Sequence, residues 1–541
     1  MRTFSADLPP EGHGPYRLMR GFGGPLVGRF LTSLDDPRAA QQRRLRVILN
    51  AARGSRFFAA HNLDAVQTLD DLRRTLPIRT YAQMSAWFDA LANGQRDALT
   101  ASPPSMLLET SGTTGTPKWL PVTRPWADSV ADAQKLWLLA MVRDHEAVTR
   151  GKALTIVSPA EHARAPGGLP VGSNTGRMNR AQPWWLRMRY PVPYAAFGLK
   201  PSALKIYTLL RFALQQPITS ITTANPSTVL LLARCLEAWK EDLAADLVDG
   251  TLKRGPAAEM DPRTRRSFYW SLRRRRPPKD WRMGHIWPLV LINCWKGGAA
   301  RYFVERIPDA LGRELPIREV GVTASEGYFA IPLGDDWPGG VLWTEGHIME
   351  FVDVLTDDVC WAWELSPGRQ YRMIITTEAG LFRYDLRDII EVVGRCGQTP
   401  VIRFVGKAGR YLNATGEKVT EEQISTALRD AAAEVGVQPV GFTVRLRFHE
   451  IPIFVLAVEG ELNHALIAAF DRHLRKINLE YEAKRESGRL GMVHGEQLRD
   501  GTYTRYRAAR VAAGAPEGQI KDPILAISDE EWARIARASQ G

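Results

Sequence analysis

The densest group of residues able to do chemistry is the run Thr110-Ser111-Gly112-Thr113-Thr114-Gly115-Thr116-Pro117-Lys118. Glycines let backbone N–H groups turn toward an anion, hydroxyls add donors, and Lys118 adds a cation. These are the parts of a polyphosphate cradle. The run is not a Walker A loop: Lys118 is followed by Trp119, so G-x-x-x-x-G-K-[ST] is not met. A Gly/Thr-rich surface turn has the same composition, so the rest of the chain must decide between the two.

Two carboxylate-bearing segments lie downstream. In Val322-Thr323-Ala324-Ser325-Glu326-Gly327, the Glu326 carboxylate suits magnesium, a hard cation that takes oxygen ligands. In Thr376-Thr377-Glu378-Ala379-Gly380-Leu381-Phe382-Arg383-Tyr384-Asp385-Leu386-Arg387-Asp388, Asp388 can accept two hydrogen bonds from a diol, with Asp385 a competitor in the same run. Trp295-Lys296-Gly297-Gly298 follows an apolar run, Phe404-Val405-Gly406-Lys407 precedes a composition shift, and Gly416-Glu417-Lys418 and Gly518-Gln519-Ile520-Lys521-Asp522-Pro523 come later.

In this order the segments resemble the adenylate-forming superfamily of acyl-CoA synthetases, luciferases and peptide-synthetase adenylation domains. The version T-T-x-x-G-L-x-R-Y-x-L-x-D, then F-V-x-K, G-E-K and Q-x-K-x-P, narrows the resemblance. It is similar to the auxin-conjugating acyl-acid amido synthetases, the Gretchen Hagen family, and their bacterial relatives. The resemblance spans roughly residues 100 to 525.

It implies an ATP-dependent ligase that makes an acyl-adenylate from a carboxylic acid and passes the acyl group to an amine, such as an amino acid. Ser111, Gly112, Thr113, Thr114, Gly115 and Lys118 would hold the phosphates. Ser325 and Glu326 would sit at the nucleotide, with Glu326 on Mg2+. Asp388 would hold the ribose, and Arg383, Lys407 and Gly297 would complete the nucleotide site. Lys521 would approach the α-phosphate from a small mobile domain that turns about a hinge near Lys407. Two departures stand out. Val322 replaces a nucleotide-stacking aromatic, leaving Trp295 or Phe329 as walls for adenine, and Arg387 replaces the glycine that plant members carry before the ribose aspartate.

The elements around these residues read as α/β. The first hundred residues have apolar positions at helical spacing, and Thr68 stands as a cap before LDDLRRT. Strand candidates KALTIVSP, PLVLINCW, PIREVGVTA, YRMIITTEAG and DIIEVVG alternate with helical stretches. Beyond the composition shift, Thr420 caps an amphipathic helix and VGFTVRLRFHEIPIFVLAVEG reads as a hairpin. The expected organisation is an adenylation domain over 1–405, binding ATP and the acid through mixed sheets and helices, and an α+β lid domain over 406–541. The acid pocket has three candidate segments, Ser158 to Gly176, Trp184 to Phe197 and Thr222 to Ser227.

Composition narrows the alternatives. No run approaches the roughly 20 apolar residues of a membrane helix, and the N-terminus has no secretory apolar core, so a cytoplasmic protein is expected. The four cysteines are scattered without a CxxC pair, against a disulfide framework or zinc knuckle. The net charge of +12 is concentrated in RTRRSFYWSLRRRRPPKDW, read as a solvated face because no nucleic-acid motif accompanies it. Rival readings are an acyl-CoA ligase, a catalytically degenerate nucleotide-binding relative, and a serine hydrolase built on Ser325, for which Thr323 replaces the first glycine of GxSxG.

Overall fold

The computed structural model describes residues 2–110, 118–414, 417–448, 451–486, 489–515 and 520–540. The chain divides into two compact units. The first is Met1–Lys296 with Arg306–Phe404, and the second is Gly297–Glu305 with Val405–Gly541.

The first unit opens with helices whose ends are written in the sequence. Asp36 caps Pro37–Ala52 by accepting from the Ala39 N–H, and proline sits in the first turn, where its missing N–H costs nothing. Thr68 and Asp71 form a reciprocal capping box on Leu69–Thr75. Three sheets follow. The smallest is built on the antiparallel hairpin of Met106–Thr110 and Lys118–Val122, with Pro170–Gly172 parallel to the first strand.

The second sheet is fully parallel, in the order Lys152–Thr155, Ile218–Thr222, Leu291–Cys294, Ile317–Glu319. Its strands are apolar or small-residue over most of their length, with Lys152 at one end and Arg318 and Glu319 in the last strand as the charged exceptions. Helix Ser202–Ala213 makes the first crossover and is buried along nearly its whole length. Its Arg211 donates to the carbonyls of Asp246, Thr251 and Arg273, which anchors the start of the arginine run. Arg273 to Arg276 themselves are exposed, as a solvated face requires.

The third sheet has eight strands, ordered Val359–Trp361, Ile348–Asp353, Gln370–Thr376, Tyr384–Cys396, Thr399–Lys407, Gly340–Leu342, Gly327–Ile331, Val322–Ala324. The chain passes directly into it from the last parallel strand, across Val320 and Gly321. One core joins the leading helices to this sheet.

In the second unit Thr420 and Gln423 box the start of Glu421–Val435, and Gly436 ends it in the left-handed conformation. Strands Gly441–Arg447 and Ile453–Glu459 pair antiparallel as the expected hairpin, flanked by His494–Leu498 and Leu525–Ala526. The four cysteines are free. Among the described residues no helix is long and apolar enough to cross a membrane.

Candidate active site

In open α/β sheets ligands bind beyond the carboxyl ends of parallel strands. Here that edge collects Ser158, the Thr222–Asn225 turn, Trp295–Lys296 and, after Glu319, the segment carrying Ser325 and Glu326. Glu319 ties the edge together. Its two carboxylate oxygens accept from the Lys296 N–H (2.7 Å) and the Gly321 N–H (3.1 Å), while Lys296 Nζ donates to the carbonyls of Ile317 and Asp335. Full burial pushes the Glu319 carboxyl up to about 7 despite those donors.

Ser325 and Glu326 form the two-residue turn between Val322–Ala324 and Gly327–Ile331, with Ala324 paired to Gly327. Two aromatic side chains hold the turn. Trp126, in the first turn of helix Arg124–Asp144, donates its indole N–H to the Glu326 carbonyl at 2.8 Å. Tyr384 aims its hydroxyl at Glu326 Oε1 at 3.5 Å, and burial followed by the Glu326 charge raises that phenol far above its ordinary value. Gly327 is required by packing: a Cβ there would stand 2.5 Å from the ring of buried His347.

Ser111, Gly112, Thr113, Thr114 and Gly115 lie outside the described residues, as do Gly416, Gly518 and Gln519. The strands flanking the first group pair Thr110 with Lys118. Lys118 Nζ lies 5.3 Å from the centroid of the Tyr81 ring, and the Tyr81 hydroxyl accepts from the Trp119 N–H at 3.0 Å. On the facing strand Glu109 sits between His162 (2.7 Å) and the Trp119 indole (3.3 Å). Burial raises the Glu109 carboxyl, but those two donors outweigh it and hold the group below its usual value.

The two aspartates competing for a ribose are in different situations. Asp385 is ion-paired to Arg372 and accepts from the Arg387 N–H at 2.9 Å. Between the paired positions Arg372↔Ile389 and Ile374↔Asp385 the register shifts, so residues 386–388 bulge from the ladder. Arg387 lies in that bulge at φ +60°, the left-handed region that favours glycine. An exposed arginine thus holds a conformation that suits glycine. Bulges re-aim side chains beside functional sites; this one sets Asp388, 5% exposed, out of step with Asp385.

The remaining site candidates are placed as follows. Arg383 forks onto Glu350 through Nε and a terminal nitrogen, both at 2.9 Å, and donates to the carbonyls of Arg73 and Leu76 at the end of Leu69–Thr75. It thereby ties a helix end to the large sheet. Lys407 closes Thr399–Lys407 and its carbonyl accepts from the Arg410 N–H. Gly297 precedes the short turn Gly298–Ala300. Lys521 is exposed on a main chain held by its neighbours: Ile520 is buried, Asp522 pairs with Arg507, and the carbonyls of Pro523 and Ile524 accept from Thr443 Oγ1 and the Val444 N–H.

Phe329, expected as a wall for adenine, is a correction. It is fully buried, edge-on to His347 in the core, and offers no face to a ligand; Trp295 remains partly exposed. Nothing described supports the hydrolase reading: His347 is buried against Glu378 rather than set beside Ser325, and His449 lies outside the described residues. Sequence reasoning missed Trp126 and Tyr81, which carry no motif. Tyr384 stood inside the R-Y motif but was not credited with holding Glu326.

The fold is that of enzymes that work through acyl-adenylates. A 2-hydroxyisobutyryl-CoA ligase in complex with its adenylate superposes with a TM-score of 0.55 at 12% identity, covering 93% of this chain and 91% of that one. The GH3.15 acyl acid amido synthetase superposes with a TM-score of 0.82 at 17% identity, covering 93% and 94%. Three domain models match in order: the GH3 family N-terminal domain over residues 26–317, the central domain over 340–407 and the C-terminal domain over 422–530. The chain belongs to the GH3 family. Relatives include an indole-3-acetic acid-amido synthetase from Oryza sativa subsp. indica, 24% identical over 92% of this chain and 89% of the relative. A jasmonoyl–L-amino acid synthetase from Nicotiana attenuata is 21% identical over 92% of each.

Proposed function

We propose that this protein is an acyl-acid amido synthetase, which activates a carboxylic acid with ATP and joins it to the amine of an amino acid. The observation that carries the reading is the meeting of elements at Glu326. The hairpin's following helix reaches it through Trp126, and the strand bearing Asp388 reaches it through Tyr384. These two contacts to the magnesium candidate support a reading in which the phosphate-loop and ribose candidates serve the same site.

In the first step a carboxylate oxygen of the acid attacks the α-phosphorus of ATP and pyrophosphate leaves. Negative charge moves onto phosphate oxygens, so fixed cations and donors are the main catalytic tools. Ser111, Thr113, Thr114 and Lys118 would hold the β- and γ-phosphates, Asp388 the ribose hydroxyls, and Lys521 the α-phosphate. In the second step the amine attacks the acyl carbonyl and AMP leaves.

Glu326 fits Mg2+. It is a single, partly exposed carboxylate oriented by a tyrosine hydroxyl, and magnesium binds through one or two carboxylates plus substrate phosphates. Among the described residues no group of three His, Cys, Asp or Glu makes a protein-only cage. When bound there, magnesium would neutralise charge on the phosphate oxygens.

The test is ATP–pyrophosphate exchange across benzoate, indole-3-acetate, jasmonate and octanoate, followed by product analysis with amino acids or coenzyme A as acceptor. Exchange with at least one acid and an amide product are expected. Accumulation of the thioester alone would make the protein an acyl-CoA ligase. Lys521→Ala is expected to slow exchange about a hundredfold or more, as loss of a fixed charge at the transition state does, with ATP binding little changed. Equal losses in both would reduce Lys521 to a structural role.

A further inference from the structure

Arg177 is a half-buried cation beside this site that meets no carboxylate among the described residues. It sits on helix Asn174–Ala181, whose first turn is pressed against the chain leaving the carboxyl end of Lys152–Thr155. The Ser173 hydroxyl accepts from the Gly176 N–H and lies 3.0 and 2.9 Å from the Ser158 and Pro159 carbonyls. At Gly176 a Cβ would come within 2.3 Å of the Ser158 carbonyl oxygen, so no larger residue fits. The next residue, Arg177, is therefore fixed in place.

Its guanidinium stands 5.4 Å from the centroid of the Trp126 indole, the same ring whose N–H holds Glu326. Its hydrogen-bond acceptor is neutral: Nε and one terminal nitrogen both point at Asn174 Oδ1, at 3.1 and 2.9 Å. Among the described residues no carboxylate pairs with it, and residues 111–117 contain none. Burial is the one cause shifting this group, lowering it to about 10, with no acidic neighbour opposing the shift. Arg189, which also pairs with no carboxylate among the described residues, instead turns both terminal nitrogens onto the carbonyls of Thr149 and Val148.

A desolvated cation without a counter-ion is costly unless an anion arrives to pair with it, and a guanidinium fork matches a carboxylate. We infer that Arg177 is the docking residue for a substrate carboxylate, held over Trp126 one side chain away from Glu326. The inference rests on the proposed ligase reading. The carboxylate has two sources: the group to be adenylated, or the α-carboxylate of the acceptor amino acid.

The experiment compares the wild-type chain with R177Q and R177K in two assays. Exchange with the best acid of the panel needs no amino acid; amide formation needs both substrates. If the reacting acid docks on Arg177, R177Q raises its KM in exchange about tenfold or more with kcat and the KM for ATP little changed, and R177K recovers part of the loss. If the acceptor docks there, exchange is unchanged and the KM for the amino acid rises instead. Calorimetric titration of the acid and its primary amide gives a readout apart from turnover. Wild type should prefer the acid, and R177Q should bind the two alike if the acid is the source.

R177M, which keeps the stem over Trp126, replaces R177Q if that variant does not fold. A rise confined to the KM for ATP, a fall in kcat alone, or no change in either assay overturns the inference. Absence of wild-type exchange with every acid would instead sink the parent reading.

Discussion

At the scale of single residues, the structure separates side chains that the sequence leaves as equals. Asp385 is bound to Arg372, so Asp385→Ala should lower stability by about 1–3 kcal/mol, the range between a surface pair and a buried one. Asp388→Ala should instead raise the KM for ATP, with a smaller change in unfolding midpoint. Steady-state kinetics and urea unfolding on both variants decide this, and a reversed pattern would move the ribose site to Asp385. Arg387 offers a second comparison. At φ +60° a glycine is unstrained while a β-branched residue is strongly disfavoured. Arg387→Gly should therefore leave stability within about 1 kcal/mol of the wild type, whereas Arg387→Val should lose roughly 1–3 kcal/mol. Equal unfolding midpoints for the two would mean that the bulge is not imposed by the surrounding sheet.

At the scale of elements, the site depends on a turn whose own residues do little to place it. Ser325 and Glu326 are held by Trp126 and Tyr384 from outside, and by Gly327 letting the strand lie on His347. Gly327→Ala must push a methyl group into a core ring that is fully buried, an overpacking expected to cost about 1–3 kcal/mol. Because the displaced residue adjoins Glu326, exchange should fall well beyond what the thermal unfolding midpoint alone accounts for. Proportionate losses would show that packing at Gly327 does not position the turn. This division also explains what was legible in the sequence. Caps at Thr68 and Thr420 and the hairpin 441–459 depend on nearest neighbours, and were readable. So were the strands within KALTIVSP and PLVLINCW, from their apolar runs, whereas PIREVGVTA, read as one strand, is two, Ile317–Glu319 in the parallel sheet and Val322–Ala324 in the large one. The strand Ile218–Thr222 was passed over because serine and threonine occupy three of its five places. The roles of Trp126, Tyr81 and Arg383 arise from contacts between residues up to 310 positions apart, and no local pattern records them.

At the scale of the whole molecule, two buried titratable groups pull stability in opposite directions with pH. Glu319 lies at the carboxyl edge of the parallel sheet, with its folded value raised to about 7 by burial. The folded state then holds the proton more tightly than the unfolded chain, so this contribution is fully present below about pH 4.3 and is lost as pH rises toward 7. His347 lies in the core under the large sheet, lowered to about 3 by burial and by Arg44. Its contribution is fully present above about pH 6.5 and is lost as pH falls toward 3. Between about pH 4.5 and 6.5 the two slopes oppose, each limited to about 1.4 kcal/mol per pH unit. The pair should flatten the acid side of the wild-type stability curve. Glu319→Gln and His347→Gln remove one slope each, and their costs should therefore vary oppositely with pH. The cost of Glu319→Gln should be largest near pH 4.5 and shrink toward 7; that of His347→Gln should be largest near 7 and shrink toward 4.5. Urea unfolding of the wild type and both variants at half-unit steps across that range tests this directly. Parallel curves for either variant would mean that its group titrates alike in the folded and unfolded chain, and that burial there is relieved by solvent.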